Sequence, residues 1–233
     1  MSTALPILRA EDGFVFLDKP SGLSVHRGWD ASRDTVMHRM RDALGHHVYP
    51  VHRLDRATSG VLVLALDPER AGLLAAAFRD GQVDKEYLAL VRGTLDGPGR
   101  IDHPLAPPEG EGDKVPAQTD YAPVACARDR YTLVRAWPRT GRGHQIRRHF
   151  RHLRRPLLGD TTYGDGKENR AMRQGVGLHR LALHALGLAL PHPLTGVRVQ
   201  AQAALPPDLL EPLVRLGFDR GLLESLAPWP PDG

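Results

Sequence analysis

A single carboxylate set between arginines is the first feature of this chain that could do chemistry. The run is His52-Arg53-Leu54-Asp55-Arg56-Ala57-Thr58-Ser59-Gly60, directly ahead of an apolar stretch. An acid in a loop at the mouth of a buried strand, with Arg53 and Arg56 beside it in sequence, is placed to be a reactive group. The same residues also describe a structural ion pair, and this run alone does not separate the two readings. Lys85-Glu86-Tyr87 opens a strand-like segment. Tyr87 there reads either as a core residue with its hydroxyl at the rim or as a platform for stacking a nucleobase. Thr140-Gly141-Arg142-Gly143-His144-Gln145-Ile146-Arg147-Arg148-His149 reads as the start of a basic helix able to bind phosphate. Leu181-Ala182-Leu183-His184-Ala185 is apolar and reads as core.

The charge distribution points the same way. The net charge is only +4, but between Arg139 and Arg155 there are seven Arg, three His and no acid. Such a local excess is an expected footprint of phosphate binding, the plainer alternative being a solvated face. Other chemistries find no motif here. There is no Walker-type loop and no His-Glu-x-x-His, and Thr58-Ser59-Gly60 is not a nucleophile elbow. His46-His47 and His149-x-x-His152 are pairs too common by chance to argue for zinc, so no metal is expected. The lone cysteine, Cys126, excludes an intramolecular disulfide and reads as a small buried hydrophobe. Neither a signal peptide nor a membrane-length apolar run is visible, and a cytoplasmic protein is expected.

Elements must hold these groups in place. With 41% hydrophobic residues, the 233-residue chain can bury a sizeable core. Strands are expected at Phe14–Leu17, Val61–Leu66, Tyr87–Val91, Tyr131–Ala136, Leu186–Leu190 and Val197–Ala203. Helices are expected at Thr35–Leu44 (Asp34 as N-cap, Gly45 as stop), Ala71–Phe78, His144–Leu153 and Asp208–Leu216. Ala106–Pro116 and Thr162–Gly177 read as loops, and the proline-rich tail after Leu226 as irregular. Without regular βαβ alternation, the pattern predicts an α+β fold around a largely antiparallel sheet.

Taken in order, these runs resemble the RluA-type pseudouridine synthases. His52-Arg53-Leu54-Asp55-x-x-Thr58-Ser59-Gly60 is similar to that family's long signature. Lys19-Pro20-x-Gly22, Lys85-x-Tyr87 and Thr140-Gly141-Arg142-x-His144-Gln145-Ile146-Arg147 match its other motifs. The resemblance implies a pseudouridine synthase fold, a mixed and mostly antiparallel sheet flanked by helices and loops. It implies Asp55 as catalytic carboxylate, Tyr87 packing on the target uracil and Arg147 as the cation paired with the aspartate. Arg53 would fill the gap left by a flipped base, and Leu183 would line the pocket. Lys19, Arg142, His144 and Arg148 are expected to contact RNA. Isomerising a uridine neither adds nor removes atoms, so no cofactor is expected.

Val25-His26-Arg27, Gly159-Asp160, Gly164-Asp165 and Asn169-Arg170 are similar to the branch acting on uridine 65 of certain tRNAs. A ribosomal RNA target and a non-catalytic RNA-binding module are the alternatives. With 18 residues ahead of Lys19, no S4 domain is expected, leaving one catalytic domain over 1–233. Neither an obligate partner nor an oligomer is called for, and a monomer is expected.

Overall fold

The segment Ser59–Ala65 is apolar on both of its faces, and in a strand that pattern requires cover from both sides. In the computed structural model every residue of this segment is buried. The structure describes residues 4–27, 34–107 and 112–226. In chain order the first elements are β1 (Ile7–Glu11), β2 (Phe14–Lys19), α1 (Val36–Leu44), β3 (Tyr49–Pro50), β4 (Ser59–Ala65) and α2 (Pro68–Arg79). Next come β5 (Asp84–Arg92), β6 (Gly99–Asp102), β7 (Gln118–Ala127), β8 (Tyr131–Pro138), α3 (Gln145–His152) and α4 (Gly166–Val176). The chain closes with β9 (Leu183–Pro191), β10 (Arg198–Gln202), α5 (Pro207–Leu216) and α6 (Arg220–Glu224). This is the expected α+β fold.

The chain forms two compact units. The first comprises Met1–Asp84 and Ala185–Ala203. Within it β4 lies between β2 and β9, with β1 outside β2 and β10 beside β9. β2 and β4 run antiparallel in an unbroken register from Phe14↔Ala65 to Lys19↔Gly60. Alternate residues of the two strands, Phe14, Phe16, Val61 and Val63, therefore fall on one face, where Leu74 and Ala77 of α2 pack against them. Each such large side chain, fully buried, stabilises the fold by roughly 1.5–3 kcal/mol. This core is the floor on which the loop 52–60 rests.

The second unit comprises Lys85–His184 and 204–228. Its strands follow the order β5-β8-β7-β6, antiparallel throughout. The buried face of α3 (Ile146, Phe150) and that of α5 (Leu209, Leu213, Leu216) bury apolar residues at helical spacing. Among the described residues no helix is long and apolar enough to cross a membrane.

Several expectations are corrected. The N-cap of α1 is Thr35, whose Oγ1 accepts the His38 N–H at 3.2 Å, while Asp34 instead holds Arg39 through two 2.7 Å bonds. Gly45 stops the helix in the left-handed conformation as expected. α2 begins three residues before the expected Ala71, because Asp67 caps it and Pro68 occupies its first position. The expected loop Thr162–Gly177 contains α4, capped by Asp165 and ended by Gly177. Its buried stripe is Glu168, Asn169, Met172 and Val176, so half of its inward face is polar and an apolar pattern could not reveal it. Glu168 tolerates burial because Tyr131 and Arg130 donate to its two oxygens at 2.5 and 2.6 Å. Cys126 is exposed, not buried. β6 pairs only with the Gln118–Tyr121 end of β7, so Cys126 lies on a stretch that β6 does not cover. A bridge between Leu105 and Val115 closes off the expected loop 106–116, of which 108–111 lie outside the described residues, as does the proline-rich tail.

Candidate active site and RNA-facing residues

In the first unit the acidic loop is built from backbone and histidine contacts. The His52 ring accepts the Val63 N–H of β4 at 3.0 Å and stacks on Phe78 of α2 with centroids 4.5 Å apart. Leu54 is buried, which pins the loop between exposed Arg53 and half-buried Asp55. The Thr58 N–H donates to the Asp55 carbonyl at 3.0 Å and closes a turn. Asp55 is half-buried and Arg53 exposed. Gly60 then leads into β4 at φ +110, and a Cβ there would stand 2.1 Å from the Ala185 carbonyl oxygen. No side chain fits, which is why the motif ends in glycine. Thr58 Oγ1 is buried without a hydrogen-bond partner among the described residues.

The Lys19-Pro20-Ser21-Gly22 turn clamps this loop. Lys19 is fully buried, and its ammonium donates to the carbonyls of Pro20 and Leu23 at 2.8 Å and of Arg56 at 3.3 Å. Ser21 Oγ donates to the Ala57 carbonyl at 2.8 Å, and the Gly22 N–H to the Arg56 carbonyl at 2.8 Å. Arg56 returns the bond through Nε to the Gly22 carbonyl at 2.9 Å. Lys19 therefore does not reach out to RNA as the sequence suggested. It neutralises carbonyl oxygens inside the turn and so shapes the backbone around Asp55.

In the second unit, strand alternation puts Lys85 and Tyr87 on one face of β5 and Glu86 on the other. Glu86 is buried against Arg135 at 3.0 Å; burial raises its pKa, and Arg135 opposes that rise. Lys85 donates to the Thr140 carbonyl at 3.2 Å. Burial, with Arg139 adding like charge, brings its pKa down to about 8. Tyr87 is half-buried opposite Ala136 of β8.

The basic motif folds around Gln145. Its side-chain oxygen accepts from Thr140 Oγ1 at 2.6 Å and from the Arg142 N–H at 3.0 Å. Its amide donates to the Gln118 carbonyl at 2.8 Å and to Thr119 Oγ1 at 3.0 Å. The turn so formed puts His144 in the left-handed conformation, φ 54, and leaves Arg142 exposed. Arg147, one helical turn on, is buried. It grips Asp160 bidentately, through Nε at 2.8 Å and Nη2 at 2.9 Å. The Asp160 carboxylate also accepts the N–H groups of Thr162 and Tyr163 at 2.9 and 3.0 Å. Burial opposes ionisation of Asp160, but these bonds outweigh it and hold its pKa below the ordinary carboxylate value. The ring of Tyr163 lies 5.0 Å from the Arg147 guanidinium, and its hydroxyl meets His144 Nδ1 at 3.0 Å.

Asp160 and Tyr163 had no assigned role in the sequence reading. The signal was present in the Gly159-Asp160, Gly164-Asp165 and Asn169 markers. Asn169 accepts the Gly159 N–H and donates to the Asp160 carbonyl, each at 2.8 Å. These markers are therefore the scaffold that orients Asp160 toward Arg147. Within this unit the structure thus brings together Arg147, His144, Tyr163 and Asp160. Arg148 is half-buried, with its guanidinium on the Ala106 carbonyl at 2.7 Å. Leu183 is 3% exposed, and the apolar run around it is core as read.

A carboxylate held in a built loop of the first unit and, in the second, a basic helix carrying a fixed guanidinium each suit chemistry on a nucleic acid. The chain belongs to the RNA pseudouridylate synthase family, whose family model matches residues 13–152. It is 45% identical over 228 residues to tRNA pseudouridine synthase C of Pasteurella multocida, covering 89% of this chain and 94% of that one. It is 41% identical over 231 residues to the protein of the same name from Haemophilus influenzae, covering 90% and 97%. Among solved structures it resembles Human RNA Pseudouridylate Synthase Domain Containing 4, with a TM-score of 0.74 and 27% identity over 90% of this chain and 92% of that one.

Proposed function

We propose that this protein isomerises a uridine of tRNA to pseudouridine, with Asp55 as the catalytic carboxylate. What carries the assignment of Asp55 is the construction of its loop. A buried ammonium, a hydroxyl and several backbone bonds fix the chain on either side of one half-exposed acid. The tRNA substrate is supported by relatives at 45% and 41% identity that carry that substrate in their names. The resemblance of the 159–170 markers to one branch supports uridine 65 as the target.

In the reaction the ribose C1′–N1 bond breaks, the base turns, and a C1′–C5 bond forms. The C5 proton leaves and N1 gains one, so the atoms balance without a co-substrate. A base at that position in a stem must be extruded, at a cost of a few kcal/mol. In this reading Tyr87 stacks on the extruded uracil, Arg53 occupies the gap, Arg147 is the cation of the site and Leu183 lines the pocket. Exposed Arg142 and half-buried His144 and Arg148 follow phosphates. In this reading the protein acts in the cytoplasm and as a monomer.

The test is carbodiimide-based primer extension on unmodified tRNA and, separately, rRNA, incubated with the protein alone. A new stop at position 65 of tRNA, lost in Asp55→Asn while RNA affinity stays within a few-fold, is the expected result. A stop in rRNA alone would overturn the substrate. Near wild-type activity in Asp55→Asn would overturn the role of Asp55. Tight binding without any stop would favour a binding module.

A further inference from the structure

The basic face of α3 continues past the residues just described. Arg148 and His152, four residues apart, share that face, about 6 Å apart along the axis at 1.5 Å per residue. His152 is exposed, and its ring stacks on His103 with centroids 3.7 Å apart and 16° between planes. His103 follows β6 directly. Basic side chains bear on it from two sides: His152 and Arg148 from α3, and Lys114 from the segment leading to β7. Of the nearby acids, Asp102 accepts from Gln118 Nε2 at 2.7 Å, and Asp113 is exposed beside Lys114. The remaining imidazole, His149, is engaged at both nitrogens, by Thr119 Oγ1 at 2.8 Å and the His103 carbonyl at 3.0 Å. Burial first, then His152, Lys114 and Arg148, keeps the His103 pKa below its ordinary value. The His103 imidazole, stacked on His152 among such neighbours, holds a proton poorly until a counter-charge arrives.

We propose that His103, His152, Arg148 and Lys114 form a binding site for a backbone phosphate of the RNA substrate. This rests on the reading of the chain as an RNA-modifying enzyme. His152 is five residues beyond Arg147, about 7.5 Å along the helix axis and on a different face of α3. Seating an anion against the imidazole pair raises its proton affinity, so binding takes up a proton. By linkage, RNA affinity rises as pH falls through the histidine range and is flat above it.

The experiment measures binding of an unmodified tRNA transcript to the full chain by fluorescence anisotropy, from pH 5.5 to 8 at fixed salt. It compares wild type, Lys114→Gln and the double variant His103→Gln/His152→Gln. Wild-type affinity is expected to climb as pH falls, by at most about tenfold per pH unit for each proton taken up. The double variant loses that climb, so that its affinity at pH 5.5 stays near the level the wild type shows at pH 8. Lys114→Gln lowers the slope of log affinity against log salt by about one. A flat wild-type profile, or an equal climb in the double variant, would overturn the site. Catalysis with a flat profile would leave the enzyme assignment standing and remove only the site. A climb lost in the double variant, in a chain that makes no pseudouridine, would do the reverse. Absence of tRNA binding at every pH would overturn both.

Discussion

Replacing Asp160 by alanine should be among the most damaging single changes in the second unit. The side chains of Asp160 and Arg147 are 1% and 8% exposed, and the pair is bidentate at 2.8 and 2.9 Å. Breaking a buried ion pair by removing one partner costs about 3–5 kcal/mol. The same change orphans the N–H groups of Thr162 and Tyr163. At roughly 2–4 °C per kcal/mol for a chain of this size, the midpoint should fall by roughly 6–20 °C. Calorimetry at pH 7 would measure this. Asp160→Asn, which keeps an acceptor for the backbone N–H groups, should lose less. The pH dependence has a definite sign. Asp160 is depressed in the folded state, so its contribution is present above the unfolded-state value of about 3.9 and is lost as pH falls through the folded one. The stability gap between wild type and variant should therefore close at acid pH. A gap below about 1 kcal/mol at pH 7, well short of the buried-pair cost, would refute the reasoning.

Three other outcomes are expected. Lys19→Met should cost about 3 kcal/mol or more in denaturant unfolding, because carbonyls lose a charged donor; its RNA salt slope should match wild type, and a flatter slope would restore Lys19 as a phosphate contact. Gly60→Ala should destabilise by about 3 kcal/mol or more, since φ +110 and the Ala185 carbonyl both oppose a Cβ; a soluble variant with an unchanged midpoint would contradict the geometry. Tyr87→Phe should bind tRNA normally and turn over more slowly in single-turnover assays; equal rates would limit Tyr87 to stacking.

Much of this architecture is legible in the chain because its signals are local. The continuous apolar run at 61–65 states a buried strand, and Gly45 states a helix end. The spacing of His52, Asp55, Thr58 and Gly60 carries the family, as does the cluster from Lys85 to Arg147. α4 was not legible, because its inward residues Glu168 and Asn169 become tolerable only once Tyr131, Arg130 and the Gly159–Asp160 backbone meet them. Cys126 followed the average behaviour of its residue type until strand pairing left its part of β7 uncovered by β6. The sequence by itself determined the residue types, the strands and helices with strong periodicity, and the excess of cations near α3. Only tertiary structure decided what each cation of the chain does. Lys19 is turned onto carbonyls and Arg147 onto Asp160, while Arg142 remains exposed. A charge is assigned by what surrounds it after folding, and its partners lie far away in sequence, where no local pattern can announce them.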